Sequence, residues 1–322
     1  MTTALICGVG GQDGAYLARL LLDKGYRVVG TSRDAQVSSF ANLAKLGILD
    51  QVERESMALT DFRSTLQTLA KAAPDEVYNL AGQTSVGLSF QQPVEAIESI
   101  GLGTLNLLES IRFLDKSIKL YNASSSECFG DTAGRAADEQ TPFHPRSPYA
   151  VAKAAAFWTG VNYREAYGLF VANGILFNHE SPLRPTRFVT RKIIAAACRI
   201  KTGEQQGLQL GDIAVSRDWG WAPEYVDAMW RMLQVPAAGD FVIATGHSYT
   251  LQQFVAAAFE EVGLDWRDHV TFDPGLRRPS EIMTSTGNAG KARELLGWSA
   301  VQAMPQIVRS LVRAERDGGI AE

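Results

Sequence analysis

The apolar positions of the first half of the chain fall into short runs at 4–7, 27–31, 76–80 and 119–123. Between them, at 15–24, 40–46, 64–73 and 97–113, apolar residues recur at helical spacing. Short apolar runs bounded by turn formers read as strands buried on both faces, and their alternation with helices marks βαβ units. The pattern predicts an α/β protein with a Rossmann-type, doubly wound parallel sheet. Two later runs, 170–177 and 240–244, read as further strands of that sheet. Helical patterns cover 149–166, 189–202, 223–234, 251–262 and 291–296. Since late strands return to the first sheet, a substrate region has to be discontinuous. The expected division is 1–178 plus about 218–246 for a Rossmann domain, and about 179–217 plus 247–322 for a smaller α/β substrate-binding region. No repeat, heptad or Pro/Gly/Ser linker separates independent domains.

Composition narrows the class. With 322 residues, 46% hydrophobic and 20% charged, the chain can bury a large core. A formal net charge of −4 gives no electrostatic reason to bind nucleic acid or an anionic membrane, so a phosphate-bearing ligand has to be held by local groups. No apolar run approaches the ~18 residues of a membrane span, and the apolar start lacks a charged leader. A cytoplasmic enzyme is expected. Cys7, Cys128 and Cys198 are odd in number, far apart and outside any metal-ligand spacing, so neither a disulfide nor a metal is expected.

The chemistry-bearing motifs lie where strands end. The first strand runs into Gly8-Val9-Gly10-Gly11-Gln12-Asp13-Gly14 and then a helix. Glycines at 8, 11 and 14 allow a tight turn, close approach to a pyrophosphate and helix packing, while the helix N-terminus offers N–H groups to an anion. After the second strand stands Thr31-Ser32-Arg33, with no acid for a ribose hydroxyl. Arg33 suits a 2′-phosphate or is simply a solvated surface residue. Tyr149 and Lys153 are four apart at the start of a long helix, hence on one face. An ordinary Tyr titrates near 10, so a tyrosine base needs a nearby cation. Between these motifs, Asn122-Ala123-Ser124-Ser125-Ser126-Glu127-Cys128-Phe129-Gly130 directly follows the strand 119–121. There a hydroxyl run and a carboxylate either face the ligand crevice or form a helix capping box.

Together these residues resemble the extended short-chain dehydrogenase/reductases, and over nearly the whole chain the GDP-mannose 4,6-dehydratases. The shared stretches include Gly11-Gln12-Asp13-Gly14, Tyr78-Asn79-Leu80-Ala81, Pro145-Arg146-Ser147-Pro148-Tyr149 and Phe177-Asn178-His179-Glu180-Ser181-Pro182. They continue with Arg217-Asp218-Trp219-Gly220 and Arg278-Pro279 followed by Glu281. The resemblance implies a hydro-lyase that uses NADP to move a hydride from C4 to C6 of a GDP-hexose with loss of water. By position Tyr149 is the base at O4, and Lys153 tunes it and holds the nicotinamide ribose. Glu127 does the C5/C6 acid–base work, and Ser125, where the family has Thr, hydrogen-bonds O4. The cofactor set implied is Gly8, Gly11, Gln12, Asp13, Gly14, Arg33, Leu59, Leu80, Ala81, Gln83, Ala123, Tyr149, Lys153, His179 and Arg184. Thr84, Ser85, Ser124, Asn178, Val189, Lys192, Arg217, Arg278 and Glu281 join Ser125, Glu127 and Tyr149 on the substrate side. A homodimer or homotetramer is implied.

Four places in the chain depart from that family's pattern. Ala58 stands where an Asp meets the adenine, Asp34-Ala35-Gln36-Val37 replaces a second Arg and a serine-rich loop, Pro185 replaces Gly, and Ser216 replaces Lys. From the residues alone, His179 also reads as a hydrogen-bonded core histidine and Arg217 as the ion-pair partner of Asp218. Two other functions use parts of the same set. A 4-ketoreductase or epimerase needs Tyr149 and Lys153 but no acid–base at C5, and a non-catalytic NADP sensor needs neither.

Overall fold

The computed structural model describes residues 1–114, 117–276 and 279–319. Twelve strands are present among these residues: β1 Thr3–Cys7, β2 Arg27–Ser32, β3 Glu53–Ser56, β4 Glu76–Asn79, β5 Lys119–Ser125 and β6 Val171–Leu176. They are followed by β7 Asn178–Glu180, β8 Leu208–Leu210, β9 Ser216–Trp221, β10 Asp240–Ile243, β11 Ser248–Thr250 and β12 Val270–Phe272. Seven form one parallel sheet in the order β10-β6-β5-β4-β1-β2-β3, the doubly wound arrangement expected from the apolar runs.

Both faces of this sheet are covered, so its central strands are buried, including polar residues such as Glu76, Asn79, Asn122 and Asn173. On one face the helices Gln12–Asp23 and Ala222–Gln234 bury Leu17, Leu21, Tyr225 and Met229 against Ile6, Tyr78 and Tyr121. On the other, Phe62–Ala72 and Gly103–Leu114 pack Leu69, Leu107 and Ile111 against Leu5, Val77 and Leu120. A further core joins β8, β9 and β12 to the helices Val189–Thr202, Leu251–Glu261 and Met304–Asp317. The small sheets β11-β9-β7 and β12-β8 lie with it. Among the described residues, no helix is long and apolar enough to cross a membrane.

Several elements lie outside the apolar pattern, among them β3, the strands of the two small sheets and the helix Met304–Asp317. β3 has the sequence Glu-Arg-Glu-Ser, exposed for most of its length, and pairs through its backbone with β2 at the edge of the sheet. β6 fills the run 170–177, ending at Leu176, and after Phe177 the chain enters the small sheet as β7. The helical stretch from 97 opens with a π-turn, Ile97–Leu102, before becoming α-helical at Gly103.

One polar row crosses the large sheet. Asn79, Asn122, Asn173 and Asp240 stand side by side on β4, β5, β6 and β10. Asn79 Nδ2 donates to Asn122 Oδ1 (3.1 Å), Asn122 Nδ2 to Asn173 Oδ1 (2.9 Å), and Asn173 Nδ2 to Asp240 Oδ1 (2.8 Å). An ionised carboxylate only accepts, so Asp240 sets the orientation of every amide in the row. Arg164 closes it with paired bonds of 2.9 and 2.7 Å to Asp240.

Candidate active site

At the end of β1 the chain enters Gly8, whose φ of 81° is a left-handed value that favours glycine. A methyl group on Gly14 would fall 2.5 Å from the Gly8 carbonyl oxygen and 2.7 Å from Val9 Cα, so only glycine lets the helix Gln12–Asp23 seat on this turn. Gly11 donates its N–H to the Gly8 carbonyl (3.0 Å) and precedes the helix. No side chain among the described residues caps it. Its first N–H groups therefore face the end of β1, where the sheet order reverses, and make a cradle for an anion.

Gln12 and Asp13 turn their side chains inward. Gln12 Nε2 donates to the His179 carbonyl (3.2 Å), while its Oε1 accepts from the Ser181 hydroxyl (2.8 Å). Asp13 Oδ2 lies 3.0 Å from His179 Nε2, and His179 Nδ1 lies 2.7 Å from the Phe177 carbonyl. Both ring nitrogens thus face acceptors, the arrangement that suits an imidazolium. Burial disfavours that charge, but the Asp13 carboxylate, by charge and hydrogen bond, raises the His179 pKa above its ordinary value. Burial likewise opposes ionisation of Asp13, and His179 holds its pKa below the usual carboxylate value. The glycine turn is in this way tied to the segment after β6. Arg184 joins it with Nη1 3.3 Å from the His179 carbonyl and Nε 3.1 Å from Glu180 Oε2.

Around the rim, Leu80 donates its N–H to the Cys7 carbonyl (3.2 Å), and Ala81 closes against Gly8. Gln83 accepts the Ser85 N–H, Ser85 caps the turn Val86–Ser89, and Thr84 is exposed. The Leu59 carbonyl accepts from Asn106 Nδ2 (2.7 Å). Arg33 is 88% exposed at the end of β2, 4.0 Å from Glu95, and the neighbouring Ser32 Oγ is buried without a partner among the described residues.

The next strand end supplies the reactive groups. β5 carries Ala123, Ser124 and Ser125 to its tip, and Lys153 Nζ donates to the Ala123 carbonyl (2.6 Å). Tyr149 and Lys153 are one turn apart and both buried on the helix Pro148–Tyr167, which Ser147 caps through the Ala150 N–H (3.1 Å). Ser125 Oγ accepts the Glu127 N–H (3.3 Å) and caps the short turn Ser126–Phe129. The cap is thus Ser125 and not Ser124, which leaves Glu127 at the second position of the turn, out of capping-box register. Burial raises the Tyr149 pKa well above its ordinary value. The hydrogen bond to Ser125 opposes this, and the charges of Cys128 and Glu127 add to it. Burial brings Lys153 down to about 8, against the pull of Cys128 and Asp13.

Lys153 therefore leaves a signature in stability. Its folded pKa lies below the ordinary ~10.4, so the unfolded chain binds more protons between those values, and this residue's contribution rises as pH climbs from about 8 to ~10.4. Below about 8 the full cost of the buried ammonium is present. The stability of cofactor-free Lys153→Met minus that of wild type should be largest at pH 7 and shrink by roughly 2 kcal/mol at pH 10 in denaturant titrations. A difference that is flat with pH overturns this.

On the substrate side, Asn178 opens β7, Val189 opens the helix Val189–Thr202, and Lys192 on its exposed face donates to the Gln209 carbonyl (2.8 Å). Arg217 is buried on β9. Its Nη2 donates to Glu281 Oε1 (2.8 Å), and Nη1 donates to the carbonyls of Ile282 (2.7 Å) and Ser216 (2.9 Å). The alternative of an Arg217–Asp218 ion pair is not what forms, because neighbours on a strand point to opposite faces. Asp218 instead accepts from the Thr245 N–H and hydroxyl and from the N–H groups of Gly246 and Gly287. Arg278 lies outside the described residues. Glu180, Ser181 and Asp218, which hold the site in shape, were passed over although they stand inside the quoted motifs. Among the described residues, no group of three or more His, Cys, Asp or Glu is arranged to hold a metal ion.

Residues 5–311 match the family described as GDP-mannose 4,6 dehydratase. GDP-mannose 4,6 dehydratase 1 of Arabidopsis thaliana is 47% identical over 96% of this chain and 88% of its own. The GDP-mannose 4,6-dehydratase of Sinorhizobium fredii is 43% identical over 97% and 96%. Among solved structures, UDP-glucose 4-epimerase of Thermus thermophilus, complexed with NAD, superimposes with a TM-score of 0.86 at 25% identity, covering 98% of this chain and 99% of that one. With the glycine turn, the Tyr149/Lys153 pair and Glu127 at one end of a doubly wound sheet, and with relatives this similar along almost the whole length, the chain belongs to the GDP-mannose 4,6-dehydratase family.

Proposed function

We propose that the protein converts GDP-mannose to GDP-4-keto-6-deoxymannose with loss of water. The observation that carries this reading is the gathering of Ser125, Glu127, Tyr149 and Lys153 beside the glycine cradle. Glu127 is close enough that its charge is felt by the Tyr149 phenol. A reductase or epimerase at C4 has no use for that carboxylate.

The cradle fits a dinucleotide. Its turn admits no side chain at Gly8 or Gly14, and the helix behind it is uncapped. A nicotinamide cofactor bound there supplies a hydride acceptor at C4 and a donor at C6. Lys153 and Tyr149 would hold its ribose, with His179 and Arg184 nearby. NADP is the form favoured, because Arg33 is exposed at the end of β2, held among the described residues only by a 4.0 Å contact with Glu95, and no acid occupies the preceding position. Titration with each cofactor checks this: Arg33→Ala should lose at least about tenfold in preference for NADP, and equal affinities in wild type would refute it.

The residues then divide the work. Tyr149, as phenolate, takes the O4 proton while Ser125 donates a hydrogen bond to O4. Because burial raises the Tyr149 pKa, that phenolate needs a cation at hand, and Lys153 Nζ lies 5.9 Å from the centre of the Tyr149 ring. Once C4 is a ketone the C5 proton is acidic, and Glu127 removes it. The same carboxylic acid returns a proton to the departing C6 hydroxyl, which leaves as water. After hydride reaches C6, a proton returns to C5. Asn178, Val189, Lys192, Arg217, Arg278 and Glu281 serve the nucleotide diphosphate in this reading.

Two helices on the same face support a homodimer. Val151 and Trp158 on Pro148–Tyr167, with Leu102, Leu105 and Phe113 along Ile97–Leu114, expose apolar side chains of the kind that copies of a chain bury together. Sedimentation of Trp158→Glu as a smaller species than wild type would bear this out; unchanged sedimentation would not. For the reaction itself, incubation with GDP-mannose and no added reductant should yield a product lighter by one water. A thermal shift with dTDP- or CDP-glucose and none with GDP-sugars would overturn the reading.

A further inference from the structure

The segment 281–288 runs as a strap between two parts of the site. On one side it is bonded to β9: Arg217 donates to Glu281 and to the Ile282 carbonyl, Ser216 donates its N–H to the Met283 carbonyl (2.7 Å), and Ser285 donates its N–H to the Ser216 carbonyl (3.1 Å). On the other side it is bonded to the loop that leaves Glu127. The Ala137 N–H reaches the Thr286 carbonyl, and the Asn288 N–H reaches the Ala137 carbonyl, each at 2.8 Å. Closer to Glu127, the side chain of Asp131 makes a connection. Asp131 Oδ2 accepts the Met283 N–H (3.0 Å), and its Oδ1 accepts the Ala133 N–H (2.8 Å) within its own loop.

The path from there to Glu127 is short and stiff. Gly130, with φ of 67°, joins the turn Ser126–Phe129 to Asp131, and a methyl group on it would meet the His144 carbonyl oxygen at 2.2 Å. The His144 N–H in turn donates to the Cys128 carbonyl (2.8 Å). A shift of Met283 is thus passed to the turn that carries Glu127. We propose that Asp131 is a positioning residue that links occupancy of the nucleotide side, through Glu281 and Arg217 and the strap, to the setting of the Glu127 carboxylate. This inference rests on the dehydratase reading. It assigns Asp131 to the second stage of the reaction, elimination, and not to oxidation at C4.

The test uses the full chain and two variants. Asp131→Ala removes both acceptors, and Asp131→Asn keeps one acceptor oxygen. In single turnovers with GDP-mannose, Asp131→Ala should oxidise C4 within about twofold of the wild-type rate. Solvent exchange at C5 and product formation should fall roughly tenfold, less than the 10²-fold of a ~1 Å misplacement. Asp131→Asn should fall between. Equal loss at both stages, or no loss, overturns the proposal. Hydrogen exchange with GDP alone gives a readout independent of turnover. GDP should slow exchange in peptides spanning 131–137 of wild type, and Asp131→Ala should lose at least half of that slowing. Absence of the effect in wild type, or its full retention in the variant, also overturns the proposal. If wild type makes no dehydrated product the proposed reaction fails, and the GDP comparison still decides the coupling.

Discussion

Tyr149→Phe is expected to reduce turnover by roughly 10³-fold or more while leaving the protein folded and able to bind GDP. The lost group is one hydroxyl, and a positioned proton acceptor accounts for about 10²–10⁴ in rate. The fold tolerates the change because the ring remains packed against Ile100, Ala152 and Ala156. Ser125, its hydrogen-bond partner, still accepts the Glu127 N–H. Product mass measured over hours, beside a melting curve and a GDP titration, separates the two effects. Near-normal turnover would remove Tyr149 from the role of base, and a collapsed melting curve would make it structural.

Glu127→Gln should halt the reaction halfway. The amide keeps the size of the side chain and can still hydrogen-bond, but it cannot accept the C5 proton. Oxidation at C4 comes first and does not need it. The variant should therefore bind GDP-mannose and develop the near-ultraviolet band of the reduced cofactor. Product should fall by at least about 10²-fold, and no deuterium from heavy water should enter C5. Wild type should release product with solvent deuterium at C5. Product from Glu127→Gln at a near wild-type rate would reduce Glu127 to a residue of the turn that Ser125 caps, and the dehydratase chemistry would lose its principal physical support.

Much of the fold was legible because the parallel sheet is buried on both faces. β1, β4 and β6 are buried along their whole length, and burial is what an apolar run records. β3 left no such record: its Glu-Arg-Glu-Ser side chains stay in solvent, and the information that makes it a strand lies in the backbone of β2. The helix Met304–Asp317 was missed although Ile307, Val308, Leu311 and Val312 form an apolar stripe at helical spacing, because the stripe is short and most of the helix's charge, Arg313, Glu315, Arg316 and Asp317, follows it directly.

The site divides along a similar line. The groups near the reactive end, Ser125, Glu127, Tyr149 and Lys153, were visible because their residue types and spacing match a chemistry. Their partners were not. The pairing of Arg217 with Glu281, 64 positions away, and of Asp13 with His179, 166 away, is set by how β9 and β7 come to lie against the large sheet. Sequence proximity suggested Asp218 for Arg217, and strand alternation sent that carboxylate to the Thr245 turn instead.

The amide row across β4, β5, β6 and β10 constrains how this protein can change over generations. Asn122 and Asn173 each both accept and donate along one direction, so replacing Asn122 alone with leucine would strand a donor on Asn79 and an acceptor on Asn173. Each buried orphan costs about 1–3 kcal/mol, whereas exchanging a whole set of partners for apolar groups of like shape is nearly neutral. The intermediates are the obstacle. Single steps cross a valley comparable to much of a domain's net stability of about 5–15 kcal/mol, so the row should be inherited as a block, kept entire in some lineages and absent in others, with few sequences in between.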